Sequence, residues 1–266
     1  MDQLAELLSV TCKLSVKAGQ EIMPFYDSET SITLKPDSSP LTAADTASHE
    51  FLISALAALT PEIPIVSEES ADRPDGGGVL LWLVDPLDGT KEFIKGTDEF
   101  TVNVALIRDG RPILGVVHAP ALNLTYYGAE NLGSWRQNGT GLAIRISCRP
   151  VDHSQVSVVA SKDHAGPLVK AMLSRLPNPK LQSMGSSLKF CLVAEGKADI
   201  YLRDLPTMEW DTAAAQCIVE TAGGGVYGLD GVPLRYGKPD LRNAAIMTVG
   251  DVGFDWRPLV DLTATA

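Results

Sequence analysis

The stretch LLWLVDPLDGTKEF, Leu80 to Phe93, carries the reading of the whole chain. Its first half is an apolar run of strand type, which predicts a buried strand over Val79–Val84. The run meets Asp85 and Asp88, three residues apart, with Pro86 restricting the backbone between them. Asp-Gly is ordinary turn chemistry. A pair of carboxylates at the rigid end of a buried strand also suits a metal site, because two such charges repel unless a cation lies between them. Oxygen donors of this kind favour Mg²⁺, which takes one or two carboxylates and keeps room for water and phosphate. Gly89 lets a ligand approach the backbone. A helix starting after Gly89 would turn the amides of Gly89 and Thr90 toward an anion.

Working outward, acids recur at other helix starts and strand ends. They are Asp45 in TAAD, Glu68 and Glu69 in SEES, and Asp211 in WDTAAA. Singly, each has a plain reading. Thr42 and Asp45 fit a capping box, Ser67 could cap a turn, and Asp211 could be the N-cap of its helix. Together they offer enough carboxylates for a shared cation site.

The bulk properties frame this. A chain of 266 residues has room for one large domain or two smaller ones. Its net charge of −11 argues against a nucleic-acid polymer as partner, which would need basic surface. Small phosphate substrates remain compatible, since bound cations can offset their charge. The four cysteines, Cys12, Cys148, Cys191 and Cys217, are dispersed and read as buried free thiols. The N-terminus has Asp2 and Glu6 where a signal peptide would be basic, and no run reaches the length of a membrane span. A cytoplasmic protein is expected, with peripheral inner-membrane association left open.

Pattern along the chain predicts helices over 2–26 and Thr42–Leu59 and a short strand in IPIVS. From Thr101 an antiparallel meander is expected. A soft boundary near residue 150 separates residues 1–150, an α+β domain with most of the metal-ligand candidates, from 151–266, an α/β domain with Asp211 and the substrate-side residues. In the latter, strands at Val156–Ala160 and ADIYLR alternate with helices at Pro167–Leu176, Ser187–Ala194 and Asp211–Ala222. GGGVYG (223–228) satisfies G-x-G-x-x-G but follows a helix, so it reads as a helix C-cap rather than a dinucleotide loop.

The motifs together resemble the inositol monophosphatase superfamily of lithium-sensitive, Mg²⁺-dependent phosphomonoesterases. DPLDGTKEF is similar to its first signature and WDTAAAQCIVETAGG (210–224) to its second, with SPLTAAD and VSEES in the expected order. Within it, the chain looks like the 3'(2'),5'-bisphosphate nucleotidases of CysQ type. Lys91-Glu92, SKDHAG (161–166) and GSSLKFCLVAEGKAD (185–199) carry that likeness, with Lys162 and Asp163 as departures. The resemblance implies an α/β (α+β) fold, an αβαβα layered sandwich with a mostly antiparallel first sheet. It implies two Mg²⁺ ions, or three. Glu68, Asp85 and the Leu87 carbonyl would hold one ion, and Asp85, Asp88 and Asp211 a second. Asp45 and Thr90 would form the catalytic dyad that orients the attacking water. Glu68, Leu87, Asp88, Gly89, Thr90, Ser161, His164, Gly185, Lys189 and Asp211 would bind substrate. Lys189 otherwise reads as a solvated helix residue; for a substrate with a second phosphate it is a point charge.

The implied reaction is hydrolysis of 3'-phosphoadenosine 5'-phosphate to AMP and phosphate, clearing a by-product of sulfate activation. The alternatives are an inositol-1-phosphate or sugar-bisphosphate phosphatase of the same superfamily, and a non-catalytic nucleotide or metal sensor. The implied partner is a small bisphosphate nucleotide; a monomer and a homodimer are both compatible.

Overall fold

The structure, a computed structural model, describes residues 2–26, 32–34, 40–70, 79–160 and 166–260. In chain order the elements are α1 (Asp2–Tyr26), β1 (Ile32–Leu34), β2 (Pro40–Thr42), α2 (Ala43–Leu59), β3 (Ile65–Ser67), β4 (Leu80–Asp88), α3 (Thr90–Lys95), β5 (Thr101–Arg108), β6 (Arg111–Ala119), β7 (Leu124–Ala129), β8 (Gly133–Asn138) and β9 (Ile144–Ile146). They continue with β10 (Ser157–Ala160), α4 (Pro167–Arg175), β11 (Lys180–Ser183), α5 (Leu188–Ala194), β12 (Ile200–Arg203), β13 (Thr207–Met208), α6 (Glu209–Thr221), β14 (Gly225–Gly228), β15 (Arg242–Asn243) and β16 (Ile246–Val249).

Two sheets dominate. The first runs β3-β4-β5-β6-β7-β8-β9 in sequence order, antiparallel throughout except for the parallel β3/β4 pair. The second has the order β11-β10-β12-β16-β14, with β10 parallel to both of its neighbours. Strand alternation then builds the layers. On β4, Trp82 and Val84 point into a core shared with α1 and α2, containing Ile22, Leu52 and Leu56. Leu81 and Leu83 point to the other face, into a core with α5 and α6 that also receives Val159 and Tyr201 from the second sheet. Val158, Ile200, Leu202 and Met247 face outward onto Leu168, Val169 and Met172 of α4. The result is the expected helix–sheet–helix–sheet–helix sandwich. The helix α6 lies so close on β6 that a Cβ at Gly115 would overlap the Ala214 carbonyl.

Several expectations are corrected. The strand beginning in LLWLV does not stop at Val84 but runs to Asp88 through a bulge. The helix bearing Asp211 starts at Glu209 with Met208 as N-cap, so Asp211 is its third residue and not its cap. The strands β11 and β16 were not marked by pattern. The loop DGGG (75–78) lies outside the described residues. All four cysteines are free, and burial pushes the Cys12 thiol up to about 12 and that of Cys148 to about 11. No described helix is long and apolar enough to cross a membrane.

His118 on β6 lies buried under Gly19 of α1, with its Nδ1 at 2.9 Å from Thr125 Oγ1. Burial lowers its pKa to about 4. The folded state therefore resists a proton that the unfolded chain accepts below about pH 6.5. Stability from this group is present above pH 6.5 and is lost as pH falls toward 4, by roughly 3 kcal/mol at most. Urea titrations at pH 7, 5.5 and 4.5 are expected to show a steeper acid loss in the wild type than in His118→Gln; equal slopes would contradict it.

Candidate active site

The geometry of DPLD follows from one irregularity. Asp85 pairs with Asn103 and Asp88 with Thr101, so three steps on β4 match two on β5. That is a bulge of one residue, placed where Pro86 has no amide to donate. In a regular strand, residues three apart face opposite sides. The extra residue cancels this, and both aspartates project from the face that meets α5 and α6. Leu87 stays in the opposite core. From below, Ser48 of α2 donates to the Pro86 carbonyl at 2.8 Å, and within the bulge the Leu87 amide donates to Asp85 Oδ1 at 3.1 Å.

Four elements bring the other predicted residues here. Asp45 is the third residue of α2; its Oδ2 accepts from the Thr42 amide at 2.7 Å and the Thr42 hydroxyl at 2.6 Å. Its Oδ1 lies 3.3 Å from Thr90 Oγ1, which is equally far from the Leu87 carbonyl. Glu68 follows β3, placed by its amide bond to the Val84 carbonyl at 3.1 Å. Asp211 repeats the arrangement of Asp45, its Oδ2 accepting from the Met208 amide at 2.8 Å. The neighbouring Glu209, fully buried, pairs with Lys238 Nζ at 2.7 Å and accepts the Gly237 amide at 2.6 Å, fixing the start of α6. Trp210 is buried in the core between the sheets.

The electrostatics are strained. Burial, then repulsion from Glu68, Asp88 and Asp211, pushes the Asp85 carboxyl well above the usual carboxylate range. Burial and Asp88 do the same to Asp211. Asp88 Oδ2 is held by both hydroxyls of Ser186 and Ser187 and by the Ser187 amide at 2.7 Å. Among the described residues, no three Asp, Glu, His or Cys side chains form a closed ligand set, and Asp88 and Asp211 each turn one oxygen to a main-chain amide. The donor set nevertheless fits a hard divalent cation. It consists of oxygens alone, and its mutual repulsion is what such a charge offsets.

Beside the acids a cavity of about 250 Å³ opens, bordered by Asp88, Glu92, Lys189, Tyr201, Arg203 and Asp211. Lys189 is not a solvated helix residue. It is buried, with Nζ 5.6 Å from the centre of the Tyr201 ring, and desolvation lowers its pKa to about 8 despite Asp88. Arg203, missed in the sequence reading, brings a second cation to the cavity, and its buried Nε has no hydrogen-bond partner. Gly185 packs where a Cβ would lie 2.9 Å from Glu99 Cβ and from Glu92 Cγ. Ser161 and His164, with Lys162 and Asp163, lie outside the described residues, as does Lys35.

Comparison with known proteins places this arrangement. Residues 3–251 match the model of the inositol monophosphatase family. The chain is 46% identical over 237 residues to the 3'(2'),5'-bisphosphate nucleotidase CysQ of Escherichia coli K12, covering 86% of this chain and 94% of the relative. To the protein of the same name in Haemophilus influenzae it is 33% identical over 258 residues, covering 95% and 96%. Among solved structures, CysQ from Bacteroides thetaiotaomicron is similar with a TM-score of 0.77 at 38% identity, covering 89% of this chain and 94% of that one. The Thermotoga maritima IMPase is similar with a TM-score of 0.80 at 25% identity, covering 100% and 99%.

Gly89 joins the bulge to α3 at φ 90°, a region where a side chain is strained by about 1–2 kcal/mol. A Cβ there would also press on the Glu99 carbonyl and Ser186 Cβ at 3.3 Å. Gly89→Ala is therefore expected to lose about that much stability in chemical denaturation. It should also lose turnover, because Thr90 is the next residue. Unchanged stability would contradict the strain.

Proposed function

Because the chain belongs to the inositol monophosphatase family, we propose that this phosphatase is a 3'(2'),5'-bisphosphate nucleotidase, hydrolysing 3'-phosphoadenosine 5'-phosphate to AMP and phosphate. The observation that carries the substrate class is three cations, Lys91, Lys189 and Arg203, lining one cavity beside a cluster of acids in a chain of net charge −11. Cations lining a pocket recognise phosphate oxygens. A substrate with one phosphate would occupy the acid end alone; a bisphosphate brings a second phosphate to these cations.

Glu68, Asp85, the Leu87 carbonyl, Asp88 and Asp211 are the groups that would hold Mg²⁺. When bound, Mg²⁺ supplies positive charge for the phosphate and the leaving oxygen and makes water more acidic. The chain's own groups do the rest. Asp45, acceptor-only when ionised, takes the Thr90 hydroxyl proton. The Thr90 oxygen is then left as an acceptor that orients the attacking water against phosphorus. Lys189 and Arg203 hold the phosphate that does not react. Gly89 keeps the wall of the site free of a side chain. Water adds to phosphorus, its proton passing through the Thr90 hydroxyl to Asp45, the bond to the 3' oxygen breaks, and that oxygen takes a proton from solvent water. Lithium inhibition follows as an expectation, since Li⁺ can replace a Mg²⁺ in such sites.

The test is phosphate release with Mg²⁺ from 3'-phosphoadenosine 5'-phosphate, inositol 1-phosphate and fructose 1,6-bisphosphate, each with and without Li⁺. Preference for the nucleotide is expected; preference for another ester would overturn the substrate. Lys189→Met should raise KM for the bisphosphate about ten-fold and weaken AMP inhibition comparably, because AMP retains the 5'-phosphate, with a smaller effect on inhibition by inorganic phosphate. In the wild type, KM for the bisphosphate should rise above about pH 8 as Lys189 loses its proton. A flat KM to pH 9.5 would remove Lys189 from phosphate binding. Phosphate release left unchanged by Asp88→Asn would remove Asp88 from the machinery, and no release from any of the three esters would favour a sensor instead.

A further inference from the structure

Asp88 is held from a residue that no motif covers. The Ser187 hydroxyl is a junction of three segments. It lies 2.9 Å from Asp88 Oδ2 on β4 and 2.8 Å from the Asp211 carbonyl on α6, and it accepts a hydrogen bond from Asn103 Nδ2 on β5 at 2.9 Å. Asn103 is 1% exposed. Its amide oxygen accepts from Thr101 Oγ1 at 2.9 Å. Thr101 Oγ1 in turn lies 2.6 Å from Ser186 Oγ, the other hydroxyl on Asp88 Oδ2.

A hydroxyl has one proton and two acceptor positions. With the Asn103 amide filling an acceptor position, the one Ser187 proton is shared between Asp88 Oδ2 and the Asp211 main-chain carbonyl. All the serine donors meet on Oδ2, so none of them occupies Asp88 Oδ1, and Asp88 borders the cavity. We propose that Asn103 is a positioning residue for Asp88, acting through Ser187 to fix which carboxylate oxygen faces the cation and to tie β4 to α6 across the cleft. This rests on the reading of Asp88 as a Mg²⁺ ligand. Groups behind a metal ligand typically change metal affinity 10–100-fold when removed.

Calorimetric titration of the protein with Mg²⁺ alone tests this, alongside the thermal midpoint. Asn103→Ala is expected to weaken Mg²⁺ binding about ten-fold. It should add little once Ser187→Ala is present, because both act on one junction. Thr101→Val, which keeps the shape and removes the hydroxyl that meets both the Asn103 amide and Ser186, should weaken Mg²⁺ in the same direction by about ten-fold. Unchanged Mg²⁺ affinity in Asn103→Ala, or effects of Asn103→Ala and Ser187→Ala that simply add, would overturn the proposal. If Asn103→Ala does not fold, Thr101→Val decides alone, and an unchanged constant overturns it. A wild type that binds no Mg²⁺ sinks the metal reading itself, a result distinct from equal binding by wild type and variants.

Discussion

Carboxylates crowded into a buried cleft repel one another, and every element around this site answers that repulsion. Asp85 and Asp211 are pushed toward the protonated form by burial and by their neighbours. A fold would discard such an arrangement unless something gained from it, because isolated buried charge is costly. The molecule instead commits backbone amides to it. Leu87 donates to Asp85, Ser187 to Asp88 and Met208 to Asp211. These donors fix positions without cancelling the charge, which leaves the cluster in need of a cation.

The bulge at Pro86 is how the strand meets that need. A regular β4 would have sent Asp85 and Asp88 to opposite faces, one into the cleft and one into the core under α1 and α2. One extra residue puts both acids on the cleft side and sends Leu87 into the apolar core. Ser48 then satisfies the carbonyl that the irregularity frees.

Much of this was legible in the sequence, for physical reasons that differ by element. The layers follow from alternation, and LLWLV and TVNVALI alternate between two covered faces, which requires helices on both sides. The acids were legible because their motifs are long. The bulge was not: Pro86 marked a restriction, but a proline between two aspartates reads equally well as the end of a strand. The N-cap of α6 was misplaced by three residues, from Met208 to Asp211, because Met208 carries no capping signal, whereas Thr42 announces Asp45. KLQS (180–183) is short and mostly exposed, so its pairing with β10 leaves no hydrophobic pattern. Arg203 ends an ordinary strand, and only its buried, unpaired Nε distinguishes it from a solvated arginine.

The site also divides its labour between elements. Asp45, Glu68, Asp85, Asp88 and Thr90 come from α2 and the neighbourhood of β3, β4 and α3, on the first sheet. Lys189 and Arg203 come from α5 and β12, whose packing partners belong to the second sheet and to the core between the sheets. Asp211 on α6 belongs to both groups, lying over the first sheet while bordering the cation-lined cavity. On the proposed reading, a change at Lys189 or on β12 alters which phosphate ester fits while the serines that open α5 still hold Asp88. The reverse does not hold, because Asp88 borders the cavity and is itself held by the serines that open α5. Substrate choice is the freer variable in this architecture, and the geometry of the acids is the constraint it must respect.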